Sequence, residues 1–132
     1  MDMSKQGHVF PVFQVTPDRA MAAQFLQGQG ASPQAELVPP TYLIFLRGET
    51  RGADLFSALD IPRERALHGG QTYEWHAPVA WDTPLDVFAR VESIVEKSGK
   101  SGTVWFADVS FEYRNPDGEL AVREVTKLVK RG

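Results

Sequence analysis

Apolar and polar residues alternate most regularly in the second half of the chain. Between Leu85 and Ser98, apolar side chains recur at every other position, and charged side chains occupy many of the positions between them. This period of two predicts a β-strand with one buried face, because successive side chains of a strand point to opposite sides of the sheet. The expected buried face carries Val87, Ala89, Val91 and Val95.

A second run of alternation extends from Thr103 to Asn115 and predicts a neighbouring strand. Its expected buried face carries Trp105, Ala107, Val109, Phe111 and Tyr113. The segment KSGKSG predicts the turn between these two strands. NPDG predicts another turn, because Pro116 presets φ and Gly118 accepts a positive φ, and ELAVREVTKLVKR then predicts a last strand.

The first two of these strands also carry apolar residues on their other face. These residues are Phe88, Ile94, Val104 and Phe106. They indicate a second buried surface, of which a subunit interface is the simplest kind.

Helical signals are confined to the first half of the chain. A helix is predicted after Thr16, an N-cap residue, with Met21 and Phe25 on one face and glycines ending it from Gly28 onwards. A shorter helix is predicted over Ala53–Leu59. A helix followed by long antiparallel strands predicts an α+β fold, and strands of about 10 residues favour a sheet that wraps around something.

Composition changes this picture little. At 132 residues we expect one domain over residues 1–132, and the net charge of −3 gives no electrostatic reason to expect a nucleic acid or an anionic membrane as a partner. The chain contains no cysteine, which excludes disulfides and thiolate nucleophiles. The N-terminus lacks a signal-peptide pattern and no apolar run reaches 18 residues, so we expect a cytoplasmic protein.

Candidate chemistry is concentrated in LHGGQTYEWHAPV, which holds two of the three histidines, His68 and His76. In this stretch Gln71, Tyr73 and Trp75 alternate along one strand face. If that face points inward, it offers an amide and two aromatic rings, which suit an apolar ligand with one polar anchor. If it points outward, the same residues belong to an interface, and the pattern leaves both readings open.

Four segments in fixed order resemble a known family: VPPT, HGxQ, KxGxxG and YRNxDGE. Over about residues 10–129 the chain is similar to the FAS1-like, N-terminal half of MaoC-type dehydratases. The resemblance implies a single hot-dog fold, in which a curled antiparallel sheet wraps around a helix. It also implies acyl thioester substrates, as in (R)-specific enoyl-CoA hydratases and hydroxyacyl-ACP dehydratases, and no cofactor. The chain departs from the family at Ala77, usually arginine, and at Asp82-Thr83, usually Gly-Asp.

The catalytic half of that family carries an Asp–His pair in a pattern like D-x-N-P-x-H. Hydration of an enoyl thioester needs a base, an acid and an N–H donor for the thioester oxygen. The residues five positions before the three histidines are Met3, Arg63 and Gln71, so none is acidic. We therefore assign no catalytic residue, with His68 as the fallback candidate. Nor do the histidines have further ligands at a spacing that predicts a metal site.

These considerations predict a non-catalytic subunit that shapes the acyl pocket of a two-part enoyl-CoA hydratase or 3-hydroxyacyl thioester dehydratase. Its expected partner is a MaoC-like catalytic subunit. Two alternatives remain: a self-sufficient homodimeric hydratase or thioesterase using His68 or Glu74, and an acyl-CoA-binding module without activity. The candidate substrate-binding residues are Pro40, Thr41, Tyr42, His68, Gly70, Gln71, Tyr73, Trp75 and His76. Lys97 and Lys100 are candidates for the phosphates of CoA or a carrier-protein arm, or simply solvated turn residues.

Overall fold

The computed structural model describes residues 1–18 and 54–132. Within these ranges five strands form one antiparallel sheet in the order β1-β3-β4-β5-β2. The elements are β1 (Phe13–Val15), α1 (Leu55–Ala58), β2 (Ala66–Trp75), β3 (Leu85–Gly99), β4 (Gly102–Arg114) and β5 (Leu120–Arg131), with short 3-10 helices at Met3–Lys5 and Arg63–Arg65. None of the helices in the described ranges is long and apolar enough to cross a membrane.

Both predicted turns are confirmed. Gly99 pairs with Gly102, so the β3–β4 hairpin closes through two residues only. The β4–β5 hairpin closes through Asn115–Gly118, where Gly118 has a φ of +81° and its N–H donates to the Asn115 carbonyl at 2.9 Å. Glycine accepts this left-handed conformation without the steric cost of a side chain, which is why the sequence signal was reliable here.

One side of the sheet, here called the inner face, is built from the predicted alternation. The inner face is defined by Val87, Val109, Phe111, Tyr113 and Val122, all fully buried. Of the residues predicted to share a face on β4, Ala107, Val109, Phe111 and Tyr113 are fully buried, and Trp105 is half-buried. The opposite side of the sheet is called the outer face.

The predicted alternation fails in the middle of β3. Ile94 is buried at 4% exposure and Val95 is exposed at 46%, the reverse of the expectation. The cause is a register shift between Val91 and Ser93, where one extra residue enters the strand and moves every later side chain to the other face. The N–H of Ile94 then donates to Oε1 of Gln6 at 3.0 Å. The expected buried set is therefore wrong at Val95.

The second apolar surface exists on the outer face, where Phe88 and Phe106 lie as predicted and Val95 takes the place of Ile94. Val95 pairs with Phe106, Phe106 with Val129, and Val129 with Leu67, so four apolar side chains form one row across β3, β4, β5 and β2. Phe88 is also exposed, at 39%. Ile94 belongs to the inner face instead. That the apolar surface of the outer face is a subunit interface stays a prediction.

The short predicted helix is confirmed as α1. The carboxylate of Asp54 caps it by accepting from the Ser57 N–H at 3.1 Å. Leu55, Leu59 and Ile61 then join the hydrophobic core. Thr16, Pro17 and Asp18 have irregular backbone. The rest of the longer predicted helix lies outside the described residues, as does the segment VPPTYLIFL.

Candidate functional site

A cavity of about 370 Å³ opens beside α1 and the inner face of the paired strands β2 and β5. This volume falls within the range of roughly 300–1,000 Å³ that small-molecule sites occupy. The described residues that line the cavity are mostly apolar, with three polar members. They are Leu55, Phe56, Ala66, Leu67, His68, Gln71, Thr126 and Leu128. The site therefore combines an apolar wall with a few polar side chains.

A bulge in β2 places both His68 and Gln71 at this cavity. Three positions apart on a regular strand, the two side chains would point to opposite faces. The register shifts between His68 and Gly70, so His68 lies opposite Leu128 and Gln71 opposite Thr126, both on the inner side of β5. The extra residue is Gly69.

Gly69 is required for space. A Cβ atom at this position would lie 2.7 Å from Cγ2 of Val129 and 3.1 Å from Cγ of Lys127. At Gly70, the predicted site residue, a Cβ would meet no atom within 4 Å. The close approach of β2 to β5 thus depends on Gly69, which is not among the predicted site residues.

A buried carboxylate, Glu124, lies next to the cavity on the inner face. Glu124 is fully buried, and Oε1 accepts from the Tyr113 hydroxyl at 2.7 Å. Oε2 accepts from Nε2 of Gln71, from Oγ1 of Thr126 at 3.2 Å and from the Tyr73 hydroxyl at 3.5 Å. Such a set of donors is what a buried carboxylate needs, because an unpaired one would carry a large desolvation cost. We call these five residues the Glu124 cluster.

Glu124 is not among the site residues predicted from the sequence. A signal was present, since Glu124 stands between Val122 and Thr126 on the face of the last strand that alternation assigns to the interior. A carboxylate at an interior position of an otherwise apolar strand indicates partners on neighbouring strands. Which residues those partners are depends on the pairing of β2, β4 and β5, which the sequence alone does not show.

Gln71 belongs to both the cavity and the cluster. It lines the cavity, and its Nε2 donates to Glu124 and, at 3.2 Å, to Oγ1 of Thr126. Of the two orientations that the sequence pattern left open, these contacts place Gln71 on the inner face. Tyr73 faces inward too, towards Glu124. Trp75 stacks on Tyr73 with ring centroids 6.4 Å apart, but it is 42% exposed and lies beyond the cavity lining described above.

The remaining predicted site residues are scattered. His76 lies outside the cavity lining, where its Nε2 is 3.6 Å from a carboxylate oxygen of Glu74 and both side chains are exposed. Lys97 places Nζ 5.5 Å from the ring centroid of Phe106, and Lys100 lies in the β3–β4 turn. Pro40, Thr41 and Tyr42 lie outside the described residues.

His68 contributes an imidazole to the cavity wall. Among residues 1–18 and 54–132, no carboxylate lies within ion-pair distance of it. A general base of the Asp–His type requires such an orienting partner. In the same ranges, no group of three or more potential metal-ligating side chains comes together.

Comparison with known families is decisive for this chain. The family model described as FAS1-like, dehydratase domain region, matches residues 31–124. The chain belongs to this family. The match covers most of the 132 residues and includes the cavity wall on β2 and the carboxylate of Glu124.

Solved structures of other proteins share the fold of this FAS1-like dehydratase domain. A chain of the (3R)-hydroxyacyl-ACP dehydratase complex HadBC from Mycobacterium tuberculosis is 19% identical with a TM-score of 0.72, and the alignment covers 98% of each chain. A chain of the ChsH1–ChsH2 complex from the same organism is 11% identical with a TM-score of 0.72, covering 94% of this chain and 84% of that one.

A MaoC-like dehydratase from Rhodospirillum rubrum is 18% identical with a TM-score of 0.65, covering 96% of this chain and 92% of that one. At these identities the likeness establishes the fold, which is the hot-dog fold expected from the sequence. A search of curated protein sequences finds no match.

Proposed function

We propose that this chain is the non-catalytic, pocket-forming subunit of a hetero-oligomeric (R)-specific enoyl-CoA hydratase or 3-hydroxyacyl thioester dehydratase. The observation that carries the proposal is a ligand-sized, largely apolar cavity, in which the described polar lining residues, His68, Gln71 and Thr126, include no Asp–His pair. Such a cavity can hold an acyl chain. The acid–base pair would come from a partner subunit.

The polar side chains at the cavity are poorly suited to supply the chemistry. Syn addition of water to an enoyl thioester needs a base for the water and a proton donor for the α-carbon. The carboxylate of Glu124 is fully buried beneath its donors, and Gln71 directs its Nε2 to that cluster. His68 remains, without a described carboxylate to orient it. These groups shape and polarise a pocket, and they leave proton transfer to another chain.

A partner subunit has a surface to meet at the edge of the sheet. β2 is the terminal strand of the described sheet, and within residues 1–18 and 54–132 it pairs with β5 alone. An edge strand presents backbone groups to which a second sheet can add. HadBC and ChsH1–ChsH2, both similar in fold, are complexes. We infer that a MaoC-like subunit joins this chain in the same general way, in the cytoplasm and in acyl thioester metabolism.

The proposal is tested by enoyl-CoA hydration, followed through the loss of the ultraviolet absorbance of the conjugated thioester. The purified chain is assayed alone and then with a co-expressed MaoC-like subunit that carries D-x-N-P-x-H. We expect turnover only in the second case, and none when the aspartate of that partner is replaced by asparagine. Turnover by the purified chain alone would contradict the proposal.

A second candidate is a self-sufficient homodimer that uses His68, and the position of His68 in the cavity wall favours it. General acid–base groups contribute typically about 10²–10⁴-fold to a rate. Under our proposal His68→Ala in the complex changes kcat by less than about threefold. A loss of 100-fold or more would instead assign the proton transfer to His68. Binding of acyl-CoA without turnover in any assembly would leave the third alternative, a binding module.

A further inference from the structure

We infer that Gln71 determines the chemical preference of the cavity, because it offers a bound acyl chain a hydrogen-bond acceptor. The cavity should therefore favour a 3-hydroxyacyl chain, whose hydroxyl is a donor, over enoyl or saturated chains that carry none. This inference rests on the proposed function and adds to it which form of the substrate the pocket recognises.

Two residues of the Glu124 cluster, Glu124 and Thr126, fix the orientation of the Gln71 amide. The Gln71 amide presents its Nε2 to Oε2 of Glu124, which accepts the hydrogen bond. The hydroxyl of Thr126 donates its hydrogen to the same Oε2, at 3.2 Å. Thr126 can then only accept from Gln71, and Nε2 of Gln71 lies 3.2 Å from Oγ1 of Thr126. Glu124 and Thr126 therefore both accept from Nε2 of Gln71.

The opposite orientation is unfavourable for the same reason. Turning the amide by half a rotation would place its carbonyl oxygen against Oε2 of Glu124, so that two acceptors would face each other. It would also remove the hydrogen bond that Oγ1 of Thr126 accepts from Nε2 of Gln71. Leaving buried polar groups unpaired costs about 1–3 kcal/mol each. Glu124 therefore acts on the cavity through Gln71, as a positioning residue.

Because Nε2 donates to the cluster while Gln71 also lines the cavity, the carbonyl oxygen Oε1 is the polar atom of this side chain that remains for a ligand. No described residue donates a hydrogen bond to Oε1. Its surroundings in the cavity wall include the apolar side chains of Leu55, Phe56 and Leu128. In a mostly apolar wall, the few polar groups determine how a ligand is oriented. A hydrogen-bond acceptor in that wall favours a ligand that carries a hydrogen-bond donor.

The 3-hydroxyacyl, enoyl and saturated forms of one acyl thioester differ in whether the acyl chain carries a hydrogen-bond donor. A 3-hydroxyacyl chain carries one hydroxyl group, whereas the enoyl and the saturated chains carry neither a hydroxyl nor an N–H group. The amide groups of the pantetheine arm are common to all three, so they cancel in a comparison. A neutral hydrogen bond contributes about 0.5–1.5 kcal/mol net, which corresponds to roughly two- to tenfold in affinity.

The test measures binding of (R)-3-hydroxybutyryl-CoA, crotonyl-CoA and butyryl-CoA to the full chain by calorimetry. We expect the hydroxyl-bearing thioester to bind about two- to tenfold more tightly than butyryl-CoA. The substitution Gln71→Met keeps the length of the side chain and removes the acceptor, so the preference should vanish. Thr72→Val is the matched control, because Thr72 is exposed on the same strand and pairs with Val125 on the other face. The control should retain the preference.

A second variant guards against misfolding of the first. In Glu124→Gln the side chain at 124 can donate as well as accept, which frees the amide of Gln71 to turn. The preference should fall while the affinity for butyryl-CoA stays the same. Equal binding of all three thioesters by the unaltered chain would overturn the inference and leave the pocket-forming role intact. Failure of all three to bind would overturn the proposed function itself, and the inference with it.

Discussion

Two neighbouring residues of β5, Arg123 and Glu124, illustrate how differently the two faces of one sheet hold charge. Glu124 on the inner face is fully buried and accepts from neutral side chains, including the hydroxyl of Tyr113 at 2.7 Å. Arg123 on the outer face lies 3.7 Å from a carboxylate oxygen of Glu92, with both side chains about one-third exposed. The same strand thus carries one carboxyl group held by directed hydrogen bonds and one guanidinium group held loosely beside water.

The difference lies in what solvent does for each charge. On the outer face water and salt screen the ion pair, so its net contribution to stability is small. On the inner face the carboxyl group of Glu124 is fully buried, so removing a donor or the acceptor costs the desolvation of the group that loses its partner. Substitutions on the two faces should therefore differ in cost even when the residue type is the same.

The largest effect is expected at Glu124 itself. Glu124→Ala removes the four hydrogen bonds that this carboxyl group accepts and opens a void, and it should lower the free energy of unfolding by about 3–5 kcal/mol. Glu112→Ala is the matched control, because Glu112 is 35% exposed beside Arg114 on the outer face. It should cost less than about 1 kcal/mol. Urea denaturation measures both, and equal midpoints would erase the contrast between the faces.

The bulge in β3 sharpens the contrast between adjacent apolar residues. Ile94→Ala removes a side chain that is 4% exposed, and it should lower the free energy of unfolding by about 2–4 kcal/mol. Val95→Ala, at a position 46% exposed, should change it by about 0.5 kcal/mol or less. Thermal and urea unfolding report the difference. A larger loss at Val95 in the isolated chain would argue against the register observed here.

A smaller effect is expected when one donor of the cluster is removed. Tyr113→Phe deletes the hydroxyl that lies 2.7 Å from Glu124, and it should cost about 1–3 kcal/mol because the acceptor is a buried carboxylate. Tyr73→Phe deletes a hydroxyl at 3.5 Å and should cost less. The urea midpoints of the two variants show which substitution lowers the stability more. The reverse order would show that Tyr73 is the stronger donor.

The smallest effect is expected on the outer face. A double-mutant cycle over Glu92→Ala and Arg123→Ala should give a coupling free energy below about 1 kcal/mol, because the pair is screened. The coupling should fall further when salt is raised to about 1 M. Ser110 also donates to Glu92, at 2.7 Å, so Ser110→Ala serves as a reference for the carboxylate's other partner. A coupling above 2 kcal/mol would place this pair with the buried interactions.

The elements of the fold were largely predictable from the sequence, because the signals are local. The turn at Asn115–Gly118 follows from proline and glycine, and the buried face of β4 follows from strict alternation. The bulges were not predictable, since a period of two assumes a constant register, and one extra residue in β3 reverses Ile94 and Val95. The change of register only becomes visible once both strands are paired.

The candidate site was predicted in part for a related reason. Gln71 and His68 were singled out, yet their common cavity depends on a bulge between them. The donors of Glu124 come from positions 71, 73, 113 and 126, on three strands. No local pattern joins residues so far apart in the chain. Only the order of the strands brings them together.

The additional glycine in β2 divides that strand into two segments that are out of phase with each other. Before Gly69 the even-numbered residues Ala66 and His68 lie opposite the inner positions of β5, and after it the odd-numbered Gln71 and Tyr73 do. A related chain that kept the spacing of His68 and Gln71 but formed a regular strand would point the two side chains to opposite faces, even if both amino acids were kept. The glycine that permits the extra residue, rather than the histidine alone, is therefore the feature to look for when this cavity is sought in other sequences.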